Sequence, residues 1–205
     1  MAPKGTIEMR IGVLALQGDF YEHSGILDDI GAKPVEVRTQ KDFRSCDGLI
    51  VPGGESTAIA RLLEKWEMFA PLKELARNGF PMFGTCAGLI LLSRQAENGP
   101  VPTLVALDVD TLRNGYGRQI DSFEASLDLK LPGIQKNFCG VFIRAPKITK
   151  VGSGVKVLAR YEGSPVLVRQ ENLLGASFHP ELTSDRSLHR FFVEKIARRG
   201  KARSS

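Results

Sequence analysis

Short apolar runs alternate with amphipathic stretches along the first half of the chain. The run RIGVLAL (10–16) is typical of a buried strand, and after it Ile26, Leu27 and Ile30 recur at helical spacing before Gly31. The pattern predicts further strands at PVEVR (34–38), DGLIVPGG (47–54) and FPMFG (80–84), and helices at 56–75, with a break near Trp66, and at 87–94. Strands and helices in alternation predict parallel βαβ units, and therefore a mostly parallel sheet with helices on both faces.

The second half of the chain consists of short β-like runs separated by turns. These runs are SFEASLDL (122–129), CGVFIRA (139–145), VKVLARY (155–161), SPVLVRQ (164–170) and NLLGASF (172–178). Several of them alternate apolar and polar residues, which predicts additional antiparallel strands. A last helix is predicted at 185–198, with Leu188, Phe191, Phe192 and Ile196 on the face that packs against the sheet.

The composition is that of an ordinary globular domain. The chain has 205 residues, of which 42% are hydrophobic and 25% are charged. Neither a linker nor a shift in composition interrupts residues 9–198, so we expect a single domain flanked by flexible tails at 1–8 and 199–205. Part of the net charge of +5 lies in the ending KIARRGKARSS. This basic segment has no nucleic-acid motif beside it and is predicted to be a solvated tail.

The thiols and the opening of the chain bear on its compartment. The three cysteines, Cys46, Cys86 and Cys139, are too few and too irregularly spaced for a disulfide framework or a zinc site. The opening MAPKGTIE lacks the apolar core of a signal peptide, and no apolar run approaches the length of a membrane span. We therefore expect a cytoplasmic protein in which each thiol has a separate role.

One thiol lies in a segment that is typical of a nucleophile. Gly84-Thr85-Cys86-Ala87-Gly88 fits the pattern Gly-x-nucleophile-x-Gly, in which a sharp turn from strand to helix raises the nucleophile at the carboxyl edge of a sheet. Side chains at the two glycine positions would collide with neighbouring backbone, and the start of a helix favours the reactive thiolate. The alternative is a buried structural cysteine in a glycine-rich turn.

The candidate base for this nucleophile is His179, in the segment SFHPEL. Pro180 favours an extended conformation at the residue before it, and residues two apart in an extended segment project to the same side, so Glu181 can orient the His179 ring. A thiol, a base and a carboxylate together make a catalytic triad. Taken alone, the tripeptide favours a capping or surface role. The other histidines, His23 and His189, fall in helical patterns and are predicted to lie on the surface.

The loop VPGGEST (51–57) is a candidate oxyanion hole. Backbone N–H groups at paired glycines can face an anion without obstruction, and the N–H of Ala87 is the natural second donor. A phosphate-binding loop is the alternative, but the lysine and the full spacing of a P-loop are missing.

Together these segments resemble the class I (triad) glutamine amidotransferases, which carry a Gly-x-Cys-x-Gly elbow, an upstream Pro-Gly-Gly loop and a downstream His-x-Glu. The resemblance narrows to the family of glutaminase subunits of pyridoxal 5'-phosphate (PLP) synthase. It rests on IGVLALQGDFYEH (11–23), PGGEST (52–57), GTCAGLILL (84–92), RNGYGRQIDSFEA (113–125), VFIRAP (141–146) and ASFHPEL (176–182). It implies a three-layer, flavodoxin-like α/β fold over about residues 10–195.

The resemblance implies that the chain hydrolyses L-glutamine. Cys86 would attack the side-chain amide carbon, His179 would pass the proton to the leaving ammonia, and Glu181 would orient His179. Water would then hydrolyse the glutamyl thioester to glutamate.

The resemblance also assigns the groups around the nucleophile. The N–H groups of Gly54 and Ala87 would hold the oxyanion, and Gly53 would shape the loop. Gln17 and Gly18 match the family's interface with the synthase, where the glutamine helps to set the oxyanion loop. A backbone flip at the glycine pair would act as a switch, because glycine tolerates both signs of φ.

The same family pattern implies the contacts of the amino-acid substrate. Arg113 would hold the α-carboxylate of glutamine, and Glu55 its α-ammonium. Backbone groups of Ile143, Arg144 and Ala145 would line the pocket. Without the resemblance, a surface arginine and a first-turn helix carboxylate would be the favoured interpretations of Arg113 and Glu55.

The implied partner is the PLP synthase subunit, a (β/α)₈ barrel that joins ribose 5-phosphate and glyceraldehyde 3-phosphate with ammonia. The family assembles as a dodecameric synthase core that carries up to twelve glutaminases. Ammonia must pass directly to the synthase, because in neutral water it is mostly protonated and no longer nucleophilic. PLP is the product of the complex, so neither a cofactor nor a metal is expected.

Two other classes of function share some of these features. A cysteine hydrolase of related fold, such as a γ-glutamyl hydrolase or a DJ-1/PfpI-like protein, has the elbow cysteine. His179, Glu181 and Arg113 argue against the DJ-1-like group. A non-catalytic binding module of the same fold is the second class, and the intact nucleophile, base and carboxylate argue against it.

Overall fold

A sheet of seven strands forms the centre of the structure. The computed structural model describes residues 9–99, 101–116, 122–134 and 137–198. The strands are β1 (Arg10–Leu14), β2 (Lys33–Val37), β3 (Gly48–Val51), β4 (Met82–Thr85), β5 (Ser93–Glu97), β6 (Leu107–Leu112), β7 (Ser122–Leu127), β8 (Phe138–Ile143), β9 (Lys147–Val151), β10 (Lys156–Tyr161), β11 (Ser164–Gln170) and β12 (Leu173–Ala176). The helices are α1 (Phe20–Asp29), α2 (Gln40–Phe43), α3 (Ser56–Lys65), α4 (Phe69–Arg77), α5 (Ala87–Leu92) and α6 (Ser187–Phe191), which continues as a π-helical segment (Phe192–Ala197), and a 3₁₀ turn covers Pro180–Leu182.

The strand order of the main sheet is β10-β11-β12-β4-β3-β1-β2. Neighbouring strands from β12 to β2 are parallel, whereas β11 is antiparallel to both β10 and β12. The prediction of a mostly parallel sheet with additional antiparallel strands is therefore confirmed. Because the parallel strands share one carboxyl edge, the loops after β1, β3, β4 and β12 lie side by side, where ligands bind in open α/β sheets.

Helices cover both faces of this sheet because its central strands are apolar on both sides. In β3, Ile50 packs in the cluster that contains α1 and the C-terminal helix, whereas Leu49 and Val51 pack with α3, α4 and α5 on the opposite face. These three side chains are at most 1% exposed. Full burial of an aliphatic side chain stabilises a fold by about 1.5–3 kcal/mol, so a continuous apolar strand requires a helical layer on each side. The three-layer prediction is confirmed.

A second sheet differs from the sequence prediction. The helix expected at 87–94 ends at Leu92, and Ser93 begins β5. β5 pairs with β6, and β6 with β9, although the pattern predicted none of these three strands. The buried Asp110 of β6 accepts two hydrogen bonds of 2.8 Å from Arg94. The ion pair satisfies the buried carboxylate of Asp110, although a charged residue in this sequence pattern indicates a solvent-exposed position.

The C-terminal helix packs as the sequence predicts. Its apolar residues Leu188, Phe191, Phe192 and Ile196 are at most 7% exposed. The segments 1–8 and 199–205, predicted as tails, lie outside the described residues. Among the helices of the described part of the chain, none combines the length and the apolar character that a membrane-crossing segment needs.

Candidate active site

The loops at the carboxyl edge of the parallel strands line a cavity of about 300 Å³. The lining consists of Gln17, Asp19, Gly54, Glu55, Ser56, Cys86, Ala87, Ile90, Arg113, Asn114, Ile143, Arg144, His179 and Leu182. Its volume lies at the lower end of the range of about 300–1,000 Å³ for small-molecule sites. A ligand of the size of one amino acid suits this cavity.

Cys86 lies on a sharp elbow between β4 and α5. Its backbone has a φ of 47° and a ψ of −103°, a left-handed conformation that costs a non-glycine residue about 1–3 kcal/mol. The flanking glycines are required, because a Cβ on Gly84 would lie 2.6 Å from the carbonyl group of Gly88. The Cys86 side chain faces the cavity, where its sulfur lies 3.8 Å from the carbonyl oxygen of Ile143.

His179 lines the same cavity, and its ring nitrogen Nδ1 contacts two carboxylates. Its Nδ1 is 2.7 Å from Oε1 of Glu181 and 3.3 Å from Oδ2 of Asp19. Burial by itself lowers the pKa of a histidine, but interactions with the side chains of Asp19, Cys86 and Glu181 outweigh burial and raise the pKa of His179 well above its ordinary value. These contacts favour the protonated form of the ring, which lines the same cavity as Cys86.

The backbone that joins this histidine to its carboxylate differs from the extended segment that the sequence predicts. His179 is close to extended, with a φ of −104° and a ψ of 88°, but Pro180–Leu182 forms a 3₁₀ turn. The turn still brings the Glu181 carboxylate beside the ring, where its side chain is fully buried. Burial raises the pKa of Glu181 above its ordinary value.

The Pro-Gly-Gly loop packs tightly between the base and the loop after β1. A Cβ on Gly53 would lie 2.3 Å from Cε1 of His179, and a Cβ on Gly18 would lie 1.8 Å from the Gly53 carbonyl oxygen. Gly54 has a φ of 142°. The side-chain oxygen of Gln17 accepts the N–H of Glu55 at 2.8 Å and so holds the end of the loop. Glycine is required here both for conformation and for space.

Two opposite charges meet at the rim of the cavity. Arg113 Nη2 lies 3.2 Å from Oε1 of Glu55. The Glu55 carboxylate also caps α3, since it accepts the N–H groups of Thr57 and Ala58 at 3.0 and 2.7 Å. Burial raises the pKa of Glu55, but these two backbone hydrogen bonds, the Thr57 side chain and the charge of Arg113 together outweigh burial, and the pKa falls below its ordinary value. Glu55 is therefore a helix-capping carboxylate that also faces the site.

The remaining predicted residues are only partly in the cavity. Ile143 and Arg144 line it. Ala145 is buried behind it and accepts the N–H of Gly115 at 3.0 Å. Sequence reasoning missed five lining residues, namely Asp19, Ser56, Ile90, Asn114 and Leu182. The signal for Asp19 is its place in the loop between the first strand and α1, at the same sheet edge as Cys86.

Asp19, His179 and Glu181 are also the group that could hold a metal ion among the described residues. One ligand atom from each lies within 4.8 Å of the others. His179 Nδ1, the ring nitrogen beside both carboxylates, already pairs with Glu181. The contacts favour an oriented base over a metal site.

The prediction that His23 and His189 lie on the surface is wrong. Both are fully buried, with His23 on α1 and His189 on α6. His23 Nδ1 lies 2.8 Å from His189 Nε2, and His23 Nε2 lies 3.2 Å from Oγ1 of Thr85. Each ring is buried because the other ring supplies a polar partner inside the helix–sheet interface.

The fold is that of the glutamine amidotransferases. The SNO glutamine amidotransferase family matches residues 13–198, and the chain belongs to this family.

Individual relatives agree with this assignment. Over 188 residues the chain is 47% identical to the "Pyridoxal 5'-phosphate synthase subunit PdxT" of Thermosipho africanus, covering 92% of this chain and 99% of that protein. It is 48% identical over 192 residues to the protein of the same name from Pelotomaculum thermopropionicum, covering 94% and 97% of the two chains. A crystal structure described as a glutamine amidotransferase is 45% identical, with a TM-score of 0.86 over 91% of this chain and 98% of that one.

Proposed function

We propose that this chain is the glutaminase subunit of a PLP synthase, which hydrolyses L-glutamine to L-glutamate and ammonia and passes the ammonia to a synthase subunit. One observation carries the proposal. Nδ1 of the His179 ring contacts Glu181 at 2.7 Å, and the same ring interacts with Cys86. The relatives are named as subunits of PLP synthase, and this supports a synthase subunit as the partner.

In the first step, the Cys86 thiolate forms a bond to the side-chain amide carbon of glutamine, and the carbonyl π electrons move to the oxygen. The tetrahedral intermediate collapses as the C–N bond breaks. The imidazolium of His179 donates its Nε2 proton to the leaving nitrogen, which departs as ammonia. Glu181 holds Nδ1–H throughout, and the ring keeps the orientation that this transfer needs.

In the second step, the glutamyl thioester is hydrolysed. His179, now neutral, takes a proton from water at Nε2, and the oxygen attacks the thioester carbon. The C–S bond breaks, glutamate leaves, and the thiolate and imidazolium are restored. The raised pKa of His179 supports a protonated ring that can donate to the leaving nitrogen.

The N–H groups of Gly54 and Ala87 hold the oxyanion in both steps, and Gly53 keeps the loop close to His179. Loss of one such donor costs a factor of about 10²–10³ in rate. Arg113 holds the substrate carboxylate and Glu55 the ammonium, and their place on the same cavity supports this assignment.

The partner docks on the edge that carries Gln17 and Gly18. Because Gln17 holds the N–H of Glu55, contact of a partner with Gln17 moves the Gly53-Gly54 loop and with it the oxyanion donor. The partner is a (β/α)₈ synthase subunit in a dodecameric core that carries up to twelve glutaminases. We further propose that residues 9–198 form one amidotransferase domain that acts in the cytoplasm.

The test is glutamate release from glutamine with and without the synthase subunit. We expect strong stimulation by the synthase, near-complete loss of activity in Cys86→Ala and His179→Asn, and full activity in Cys139→Ser, which changes a free thiol outside the cavity. A Cys86→Ala protein that still hydrolyses glutamine would contradict the site. Hydrolysis of folate polyglutamates in preference to free glutamine would instead favour a γ-glutamyl hydrolase.

A further inference from the structure

The carboxylate of Glu181 uses only one of its oxygens to hold His179. Oε2 is buried and has no hydrogen-bond partner among the described residues. The group that faces it is Nε2 of His23, at 3.4 Å, and both side chains are fully buried. A buried carboxylate oxygen without a donor costs free energy, so this approach of a ring nitrogen requires an explanation.

The hydrogen bonds around His23 determine which of its nitrogens carries the proton. Nδ1 of His189 has no partner among the described residues, so a proton there would be a buried unpaired donor. We therefore assign the His189 proton to Nε2, which donates to His23 Nδ1 over 2.8 Å. The proton of His23 then lies on Nε2, which is hydrogen-bonded to Oγ1 of Thr85 at 3.2 Å and lies 3.4 Å from Oε2 of Glu181.

Both rings are neutral donors. Burial, followed by electrostatic interactions with His189 and His179, lowers the pKa of His23 well below its ordinary value. Burial and the charge of Arg186 lower the pKa of His189 to about 3. A neutral N–H stabilises the Glu181 carboxylate. A full positive charge on His23 would instead compete with His179 for Glu181 and weaken that contact.

We propose that His23, fixed in one tautomer by His189, is a positioning residue for glutamine hydrolysis. Its Nε2–H lies 3.4 Å from Oε2 of Glu181 and stabilises that oxygen electrostatically, so that Oε1 stays directed at Nδ1 of His179. The inference rests on the triad of the proposed function and adds a fourth and a fifth residue behind it. Asp19 lies one helical turn before His23 and contacts His179 itself. The start of α1 therefore supports both His179 and Glu181.

Thr85 joins this network to the nucleophile. It precedes Cys86 in the chain, and its hydroxyl lies 3.2 Å from His23 Nε2. His23 thus contacts two parts of the site. One is the end of β4, directly before Cys86, and the other is the Glu181 carboxylate, which orients His179. The titratable groups that face Glu181 are His179, His23 and Asp19.

The test compares His23→Leu, which removes the donor, with His23→Gln, which offers a side-chain N–H, in the presence of the synthase subunit. We expect His23→Leu to lower kcat about 10- to 100-fold with little change in KM, as for loss of a polar contact to a buried charged group. The acid limb of the kcat profile should move up by about one pH unit, since Glu181 then takes up a proton more readily. His23→Gln should recover most of both effects.

The outcomes separate this inference from the proposed function. If Cys86→Ala is inactive while His23→Leu keeps the parental kcat and pH profile, the positioning role alone is refuted. A kcat loss that His23→Gln does not recover, with an unshifted acid limb, refutes it as well and marks a structural role. If Cys86→Ala is active, the triad itself is wrong.

A measurement on the unsubstituted protein does not depend on the variants folding. Long-range ¹H–¹⁵N spectra of protein labelled in histidine report the tautomer of each ring. We expect Nε2–H tautomers for His23 and His189 at neutral pH. An Nδ1–H tautomer at His23 would direct a lone pair at Glu181 and overturn the inference.

Discussion

A Cβ atom on Gly88 would lie 1.9 Å from the carbonyl oxygen of Val51, the last residue of the neighbouring strand. Helix α5 can follow Cys86 at this angle only because residue 88 has no side chain. We expect Gly88→Ala to destabilise the protein by about 1–3 kcal/mol or more through overpacking, and to reduce glutaminase activity because the elbow moves.

Urea unfolding and glutamate release check this prediction. The matched control is Gly25→Ala on the exposed side of α1, where an added Cβ meets nothing within 4 Å. Alanine in a helix is favoured over glycine by about 0.5–1 kcal/mol, so this variant should be slightly more stable and fully active. Equal effects of the two substitutions would contradict the crowding argument.

The strained backbone of Cys86 gives a second prediction. Cys86→Gly and Cys86→Ala both remove the thiol, but only glycine adopts a φ of 47° with a ψ of −103° without strain. We expect the glycine variant to be more stable than the alanine variant by about 1 kcal/mol, measured as the difference in unfolding free energy. An alanine variant that is the more stable of the two would show that the elbow is relaxed.

A third prediction concerns the charged pair at the rim. Arg113→Met should raise the KM for glutamine about 10- to 100-fold, because the variant loses a charge-assisted contact to the carboxylate, and should leave kcat nearly unchanged. Glu55→Gln should also raise KM, while its remaining oxygen still caps α3. Steady-state kinetics with the synthase present give both constants.

Arg190→Met is the control for this pair, since Arg190 forms an exposed ion pair with Glu194, 3.7 Å apart, outside the cavity. It should leave KM unchanged. If Arg113→Met changes kcat alone, Arg113 acts in the chemical step and does not bind the substrate carboxylate.

A fourth prediction is the acid sensitivity of the fold. The pKa of His189 is about 3 in the folded protein, against an ordinary value of about 6.5 when unfolded. Below pH 6.5 the unfolded chain therefore binds a proton that the folded chain does not. Stability from this residue is present above that pH and is lost as the pH falls from 6.5 toward 3.

The measurement is the unfolding free energy of the parent and of His189→Gln at pH 7.0 and 5.5. The advantage of the parent should shrink by about 1.2 kcal/mol between these values, from linkage at one histidine. An advantage that stays constant would mean that His189 is charged in the folded protein.

The segments that meet at the cavity could be picked out from the sequence because their signals are local. The glycines around Cys86 and the proximity of Glu181 to His179 depend on residues within a few positions of each other. The burial of His23 had a local signal too, since His23, Ile26, Leu27 and Ile30 share one helix face. The polarity of histidine led to the opposite interpretation.

Contacts between distant segments could not be predicted in this way. His23 and His189 are 166 positions apart, and neither segment indicates that the other exists. The strands β5, β6 and β9 were missed for a related reason. The charges of Arg94 and Asp110 suggest solvent when each is considered alone, and only their pairing makes a buried strand possible.

The order of strands in the sheet has a consequence for synthesis on the ribosome. β4, which carries the sulfur, has β12 as its parallel neighbour, and β12 delivers the imidazole and its acid. A nascent chain holds its proposed nucleophile long before residues 173–181 emerge, and throughout that interval it lacks its proposed base. Under the proposed mechanism, products that end before residue 179 should therefore not hydrolyse glutamine, and no ammonia is released until the C-terminal part of the chain is made.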